Sequence, residues 1–237
     1  LRDRSSLGRA AAERIAECLR VRSGQERIRM AFAAAPSQDE FYSHLTALPG
    51  LPWERIEAFQ LDDYVGLGPE HPASFAAYLR EHIFAHVPVG RIHVLDGRGD
   101  AQAAARAYAD RLAEAPLDIC CLGIGENGHL AFNDPPVADF ADPQRVKVVE
   151  LDAACRTQQV NDGCFPSLAE VPTHALTLTI PALMSAAVVS VVVPGPRKRA
   201  AVTQTVRGPI ATACPASILR RHPAAVLWLD RDAAAGL

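Results

Sequence analysis

The chain has 237 residues, with 24 Lys and Arg against 27 Asp and Glu and a formal net charge of −3. Apolar residues make up 49% and charged residues 22%, the balance of a globular chain and not of a disordered one. The charge lacks the basic excess of a nucleic-acid-binding protein, and no run of about 18 uninterrupted apolar residues predicts a membrane span. No nucleic-acid or membrane partner is therefore expected. At roughly 150 residues per domain the length allows one or two, and the pattern below is read as one domain over residues 1–237. The first twenty residues are charged throughout and lack the apolar stretch of a signal peptide. The chain starts on Leu1, which reads as processing or truncation. Cys18, Cys120, Cys121, Cys155, Cys164 and Cys214 form no C-x-x-C pair, so reduced, buried thiols are expected, with no metal site and a cytoplasmic setting.

Strand and helix signals alternate along the chain. Leu7, Ala11, Ile15 and Cys18 mark the apolar face of a helix over 3–22. IRMAFAAA (28–35) reads as a strand, and Ser37 to Leu48 as a helix with Ser37 and Glu40 as a capping box. RIEAFQL (55–61) is a second strand, ending in an acidic turn at Asp62-Asp63-Tyr64. A helix over His71–His86, a strand at IHVLD (92–96) and a helix faced by Ala101, Ala105, Tyr108 and Leu112 follow. LDICCLGIG (117–125) is a continuous apolar run, as in a strand buried on both faces.

In the second half, 146–151, 174–180, 186–194 and 224–229 are strand candidates, with helical segments near 152–160, 197–206 and 215–222. Strands separated by helical patterns predict an α/β fold: a single doubly wound, mainly parallel sheet with helices on both faces. Ligands of such sheets bind beyond the carboxyl ends of the strands. Four strand ends carry polar chemistry: Pro36-Ser37, Asp62-Asp63-Tyr64, Gly123 to Asp134, and Gly195 to Lys198.

Gly123-Ile124-Gly125-Glu126-Asn127-Gly128 matches G-x-G-x-x-G, but two prolines stop any helix soon after it. A dinucleotide fingerprint needs that helix, so no nucleotide cofactor is expected. The glycines instead let backbone N–H groups approach a ligand. His129 has Asn127 two residues before it and Asp134 five after, an arrangement that suits a proton shuttle. Asp62 and Asp63 set like charges side by side, which raises the pKa of a candidate base. Gly195-Pro196-Arg197-Lys198 opens a helix, where backbone N–H groups and a lysine suit an anion.

With these residues assembled, the chain resembles the glucosamine-6-phosphate deaminases, within the wider family that includes 6-phosphogluconolactonases. FQLDDYVGLGPEHPASF (59–75), LGIGENGHLAFNDP (122–135), EVPTHALTLTIPALM (170–184), VVVPGPRKRAAV (191–202) and LRRHPAAVLWLD (219–230) carry the likeness over nearly the whole chain. The resemblance implies conversion of an amino-sugar phosphate to fructose 6-phosphate and ammonia, without a metal or nucleotide. It implies that Asp62 moves the proton between C2 and C1 and that His129, with Asp134 and Asn127, opens the sugar ring. It gives the phosphate to Lys198 and to the Pro36-Ser37 loop, and the rest of the substrate to Asp63, Gly123 and Gly125. A homo-oligomer is compatible with all of this.

The chain departs from the family at several of these places. Asn127 stands where Asp is frequent. Asp134 stands where Glu is usual, so its contact with His129 calls for a water or a shifted backbone. The first phosphate loop is Ala-Ala-Pro-Ser in place of a Gly-Gly-Thr-rich one, and no arginine occurs near Gly163, leaving Arg156 or Arg197 to compensate. Two other readings compete. In a phosphosugar lactonase His129 would activate water and Asp62 would be dispensable. In a sugar-phosphate sensor neither would react, though the chain has no helix-turn-helix segment.

Overall fold

The computed structural model describes residues 1–237. Its strands are β1 (Ile28–Phe32), β2 (Ile56–Gln60), β3 (Asp62–Tyr64), β4 (Arg91–His93), β5 (Ile119–Leu122), β6 (Val146–Glu150), β7 (His174–Leu178), β8 (Val188–Val193) and β9 (Ala225–Leu229). The α-helices are α1 (Arg4–Val21), α2 (Asp39–Ala47), α3 (Phe75–Leu79), α4 (Ala101–Ala113), α5 (Ala153–Asn161), α6 (Ile180–Met184), α7 (Arg199–Arg207) and α8 (Arg231–Ala234). None of them is long and apolar enough to cross a membrane.

Six strands form one all-parallel sheet in the order β4-β2-β1-β5-β8-β9. Both faces are covered, as expected of a doubly wound sheet. Leu7, Ile15 and Phe41 of α1 and α2 pack with Ile28, Met30 and Phe32 on one side. Tyr108 and Leu112 of α4, Leu183 of α6 and Val202 of α7 pack with Ala31, Phe59, Cys120 and Val191 on the other. Every residue of β1, β2 and β5 is buried, and β5 reads as an uninterrupted apolar run for that reason.

Two predicted strands do not join that sheet. β6 and β7 pair with β3 in a separate antiparallel sheet, in which Asp62 faces Thr177 and Val146 faces Leu178. β6 has Lys147 half-buried and Glu150 exposed, which suits a sheet covered on one face. The expected acidic turn at 62–64 is thus a strand. The chain leaves the parallel sheet at Leu61, whose carbonyl accepts a bond from the Leu178 N–H, and continues directly into the second sheet.

Local chemistry sets the helix ends. Asp3 caps α1 through a reciprocal pair with Ser6. Gly8 lies against α2 so closely that a Cβ there would fall 2.6 Å from the Glu40 backbone. The helix predicted from His71 begins instead behind Ser74, whose hydroxyl accepts from the Ala77 N–H. The capping box expected of Ser37 and Glu40 does not form. Glu40 takes a forked pair of bonds from Arg4, at 2.7 and 2.9 Å, which leaves Ser37 on a 3-10 turn ahead of α2. All six cysteines are free thiols; Cys164 and Cys214 are only half-buried.

A buried charge network lies near the starts of β1 and β2. Arg29 and Glu57 are side by side in register at 3.1 Å, and His93 reaches the other Glu57 oxygen at 2.8 Å. The Arg29 guanidinium also donates to the Arg111 and Leu112 carbonyls at the end of α4, where a cation meets the negative end of the helix dipole. Glu57→Ala leaves Arg29 buried without its counter-charge and is expected to cost about 3–5 kcal/mol of stability. Removing the exposed Arg14–Glu17 pair by Arg14→Ala should cost no more than about 1 kcal/mol. Urea unfolding of the two variants checks the contrast.

Candidate active site

The winding of the parallel sheet reverses between β1 and β5, because β2 and β4 lie on one side of that pair and β8 and β9 on the other. Such a reversal opens a crevice at the carboxyl ends of the strands. A cavity of about 670 Å³ lies there. Pro36 and Ser37 line it from behind β1, Asp62 from behind β2, Gly123, Gly125 and His129 from behind β5, and Lys198 from behind β8. The four polar strand ends therefore converge, as the sequence predicted.

His129 is held from behind. Its backbone N–H donates to Asn127 Oδ1 at 3.0 Å, while Asn127 Nδ2 donates to Asp134 Oδ1 at 2.7 Å. The ring Nδ1 lies 2.9 Å from the same Asp134 oxygen. This contact is direct, so the shorter acid needs no bridging water. The intervening backbone doubles back through Ala131, which has a φ of 50°, and through a bridge between Leu130 and Asn133. Burial works to raise the Asp134 carboxyl, but His129 and Asn127 outweigh it and hold the group below its ordinary value. Asn at 127 is what permits this: a carboxylate there would face Asp134 as a second negative charge. Asn127 and Asp134 are not on the cavity wall and stand behind His129. Gly125 supplies the space for the ring.

Asp62 is 7% exposed and faces the cavity. Burial pushes its carboxyl well above the usual range, and the charges of Asp63 and Asp134 push it further. Asp63, expected to bind substrate, does not line the cavity. Its carboxylate is used inside the fold, accepting from the backbone N–H groups of Tyr64, Phe75 and Ala76 and from Gln60 Nε2. Burial raises it to about 6 against those four bonds. Asp63 thus ties β3 to the start of α3 and fixes its neighbour.

At the other end of the cavity, the Ser37 hydroxyl accepts from Gln38 Nε2 at 3.0 Å and lies near Gly123. Lys198 is half-buried, and burial lowers its pKa despite the nearby charges of Asp162 and Glu126. Arg197 reaches across to Asp162 at 2.7 Å and Glu126 at 3.4 Å. Arg156 is tied to the Leu168 and Val171 carbonyls and does not line the cavity, whereas Arg197 does. The Lys198 loop is anchored by Asp230. One of its oxygens accepts from the Gly195 N–H and the other from Ala233 in the first turn of α8, both at 2.8 Å.

Sequence reasoning missed the wall that α5 supplies. Gln158 and Gln159, with Asp162 just past the end of the helix, line the cavity. Gln158 accepts from the Glu126 N–H, and Gln159 accepts from the Tyr64 hydroxyl. The signal was present as a stripe of polar residues on one face, but such a stripe reads equally as a solvated surface. Arg2, Asp3 and Arg4 at the start of α1 and Asp230 also line the cavity, with nothing in the local sequence to mark them.

Fold and cleft together define a doubly wound α/β protein whose switch-point site holds an acid, a supported histidine and a lysine, with no helix opening after Gly128 to receive a dinucleotide. The chain belongs to the family described as glucosamine-6-phosphate isomerases/6-phosphogluconolactonase, whose model matches residues 2–228. It is 33% identical to the glucosamine-6-phosphate deaminase of Lactobacillus delbrueckii subsp. bulgaricus over 99% of this chain and 96% of that protein. It is 30% identical to the deaminase of the same name from Hahella chejuensis, over 93% and 85%. A solved structure described as a monomeric glucosamine-6-phosphate deaminase superposes with a TM-score of 0.92 at 29% identity, covering 100% of this chain and 98% of that one. The 6-phosphogluconolactonase of Thermotoga maritima shares the fold alone, with a TM-score of 0.79 at 19% identity over 98% and 97%.

A Cβ on Gly125 would fall 2.2–2.3 Å from three atoms of the His129 ring. Gly125→Ala is therefore expected to break the contact between the ring and Asp134. A displacement of about 1 Å costs roughly 100-fold in turnover. A crystal structure and a steady-state rate of the variant check both outcomes.

Proposed function

We propose that this chain converts glucosamine 6-phosphate and water to fructose 6-phosphate and ammonia. The observation that carries the reading is that Asp62 and His129, from two different strand ends, face one cavity that Lys198 and Ser37 also line. Curated relatives matched over nearly the full chain support it.

The chemistry follows from the residues. A closed sugar ring has no carbonyl, so its C2 proton is not acidic. His129 shuttles the proton that opens the ring, oriented by Asp134 and Asn127. Asp62 then removes the C2 proton and returns it to C1. The amino-aldehyde becomes the imine of a ketose, which water hydrolyses with release of ammonia. Gln60 Nε2 donates to the Asp62 backbone carbonyl and to Asp63, leaving the Asp62 carboxylate free to accept the proton. The substrate ammonium supplies a positive charge beside a carboxylate that its neighbours keep from ionising, and so draws Asp62 toward its basic form. Phosphate held by Lys198, Ser37 and the backbone of their turns gives binding energy remote from the reacting carbons. Arg197, released from Asp162 and Glu126, adds a positive charge beside Lys198.

Ammonia and fructose 6-phosphate should appear together from glucosamine 6-phosphate. Rapid opening of 6-phosphogluconolactone with no ammonia would overturn the assignment, as would saturable binding without turnover. Asp62→Asn should cost about 10²–10⁴-fold in kcat, the contribution of a positioned base. Lys198→Ala should act mainly on KM. Because Asp62 must be ionised and its pKa is displaced upward, kcat/KM of the free enzyme should rise with pH along a limb above the ordinary carboxylate range. That limb should be missing from the residual activity of Asp62→Asn.

A further inference from the structure

Behind the His129 ring, three potential metal ligands of different kinds converge. One ring nitrogen of His129, an Asp134 carboxylate oxygen and Cys155 Sγ all lie within 4.8 Å of one another, and all three residues are buried. Cys155 comes from α5, 21 residues beyond Asp134 in the chain, so only the fold brings it here. Two of the ligand atoms are left over by the hydrogen bonding around them. Asn127 occupies Asp134 Oδ1, and Asp134 Oδ2 is buried with no aligned hydrogen bond, although the neighbouring Cys155 thiol helps hold the Asp134 carboxyl low. His129 Nδ1, although 2.9 Å from Oδ1, has no aligned hydrogen bond. Buried polar atoms without partners are rare in native structures and commonly mark an ion or water site.

We infer that His129, Asp134 and Cys155 form a site for a thiophilic divalent cation, Zn²⁺ in the first instance, whose occupancy shuts off the histidine. One imidazole nitrogen, one carboxylate oxygen and one thiolate are the ligand types Zn²⁺ takes, at about 2.0–2.3 Å each. Ligands around such an ion stand roughly 3.3–3.8 Å apart, so side-chain shifts of about 1 Å close the site. On binding, the Cys155 S–H bond breaks, a sulfur–metal bond forms, and the proton leaves to solvent. The proton that the Asp134 carboxylate favours on Nδ1 moves by way of solvent to Nε2, and the metal takes the freed Nδ1 lone pair and the free Asp134 oxygen. The ring is then pinned, and the Asp134 charge that supports a protonated ring is neutralised. Cys155 does not line the cavity, and it bears on the proposed deamination only by helping to hold the Asp134 carboxyl low.

Co²⁺ is the probe for occupancy, because a thiolate ligand gives it a near-ultraviolet charge-transfer band. The full chain should bind one equivalent with that band, and Zn²⁺ should displace it. Cys155→Ser should lose the band and bind Zn²⁺ at least roughly 100-fold more weakly, beyond the usual cost of losing an outer-shell partner. Cys164→Ser and Cys214→Ser, which remove the half-buried thiols, should change neither. No band, or a band that survives Cys155→Ser, would overturn the site. If Cys155→Ser does not fold, X-ray absorption of the Zn²⁺-loaded parent decides: one sulfur and one imidazole ligand support the site, and a sulfur-free shell overturns it. Zn²⁺ should also inhibit ammonia release in the parent, reversibly by chelator, and inhibit Cys155→Ser far less. Binding without effect on ammonia release would overturn the inhibitory role. A protein that binds cobalt through Cys155 but releases no ammonia even when metal-free would refute the deaminase reading and leave the site standing.

Discussion

The parallel pairing of β1 with β5 is the constraint from which the rest of the molecule follows. All six strands of the sheet point the same way, so every loop that leaves a carboxyl end emerges on one edge. The winding runs outward in both directions from this pair, and no crossover covers the gap between them. Residues far apart in the chain, from Ser37 to Lys198, are brought to that gap by topology alone. Neither strand carries a polar side chain into the cleft. Their contribution is position.

The electrostatics of the cleft are arranged around an excess of acid. Asp62 and Asp134 raise each other's cost of ionisation, and the fold resolves the conflict unequally. Asp134 receives Asn127 and His129 and stays charged. Asp62 receives no partner and takes up a proton readily. Two carboxyl groups in one buried region thereby acquire opposite characters, one a fixed counter-ion and the other a movable acceptor. The basic end is balanced in the same way, with Arg197 occupied by Asp162 and Glu126 while Lys198 is left to the cavity.

The parallel sheet was legible because buried parallel strands are written as continuous apolar runs between helical periodicities. The residues at their ends stood out because four polar clusters followed four apolar runs. What could not be read was partnership. VKVVEL and HALTLTI look like strands, but nothing in either says that it pairs with residues 62–64 and not with the main sheet. Asp62 and Asp63 are chemically identical in the sequence, and only the backbone N–H groups of α3, which take up Asp63, separate their fates. Cys155 looked like core packing because its neighbours across space lie some twenty residues away along the chain.

Asp230 binds the Gly195 turn with one oxygen and the first turn of α8 with the other. It lies seven residues from the C-terminal Leu237, whereas Asp62, His129 and Lys198 precede it by many residues. During synthesis the chain emerges from its amino end, so the lysine turn lacks its anchor until residue 230 has been added. β9, which pairs with β8 and precedes Asp230 directly, arrives equally late. The core on the α1 side of the sheet can thus form before the lysine turn is anchored, and the cleft is completed only after Asp62 and His129 have emerged.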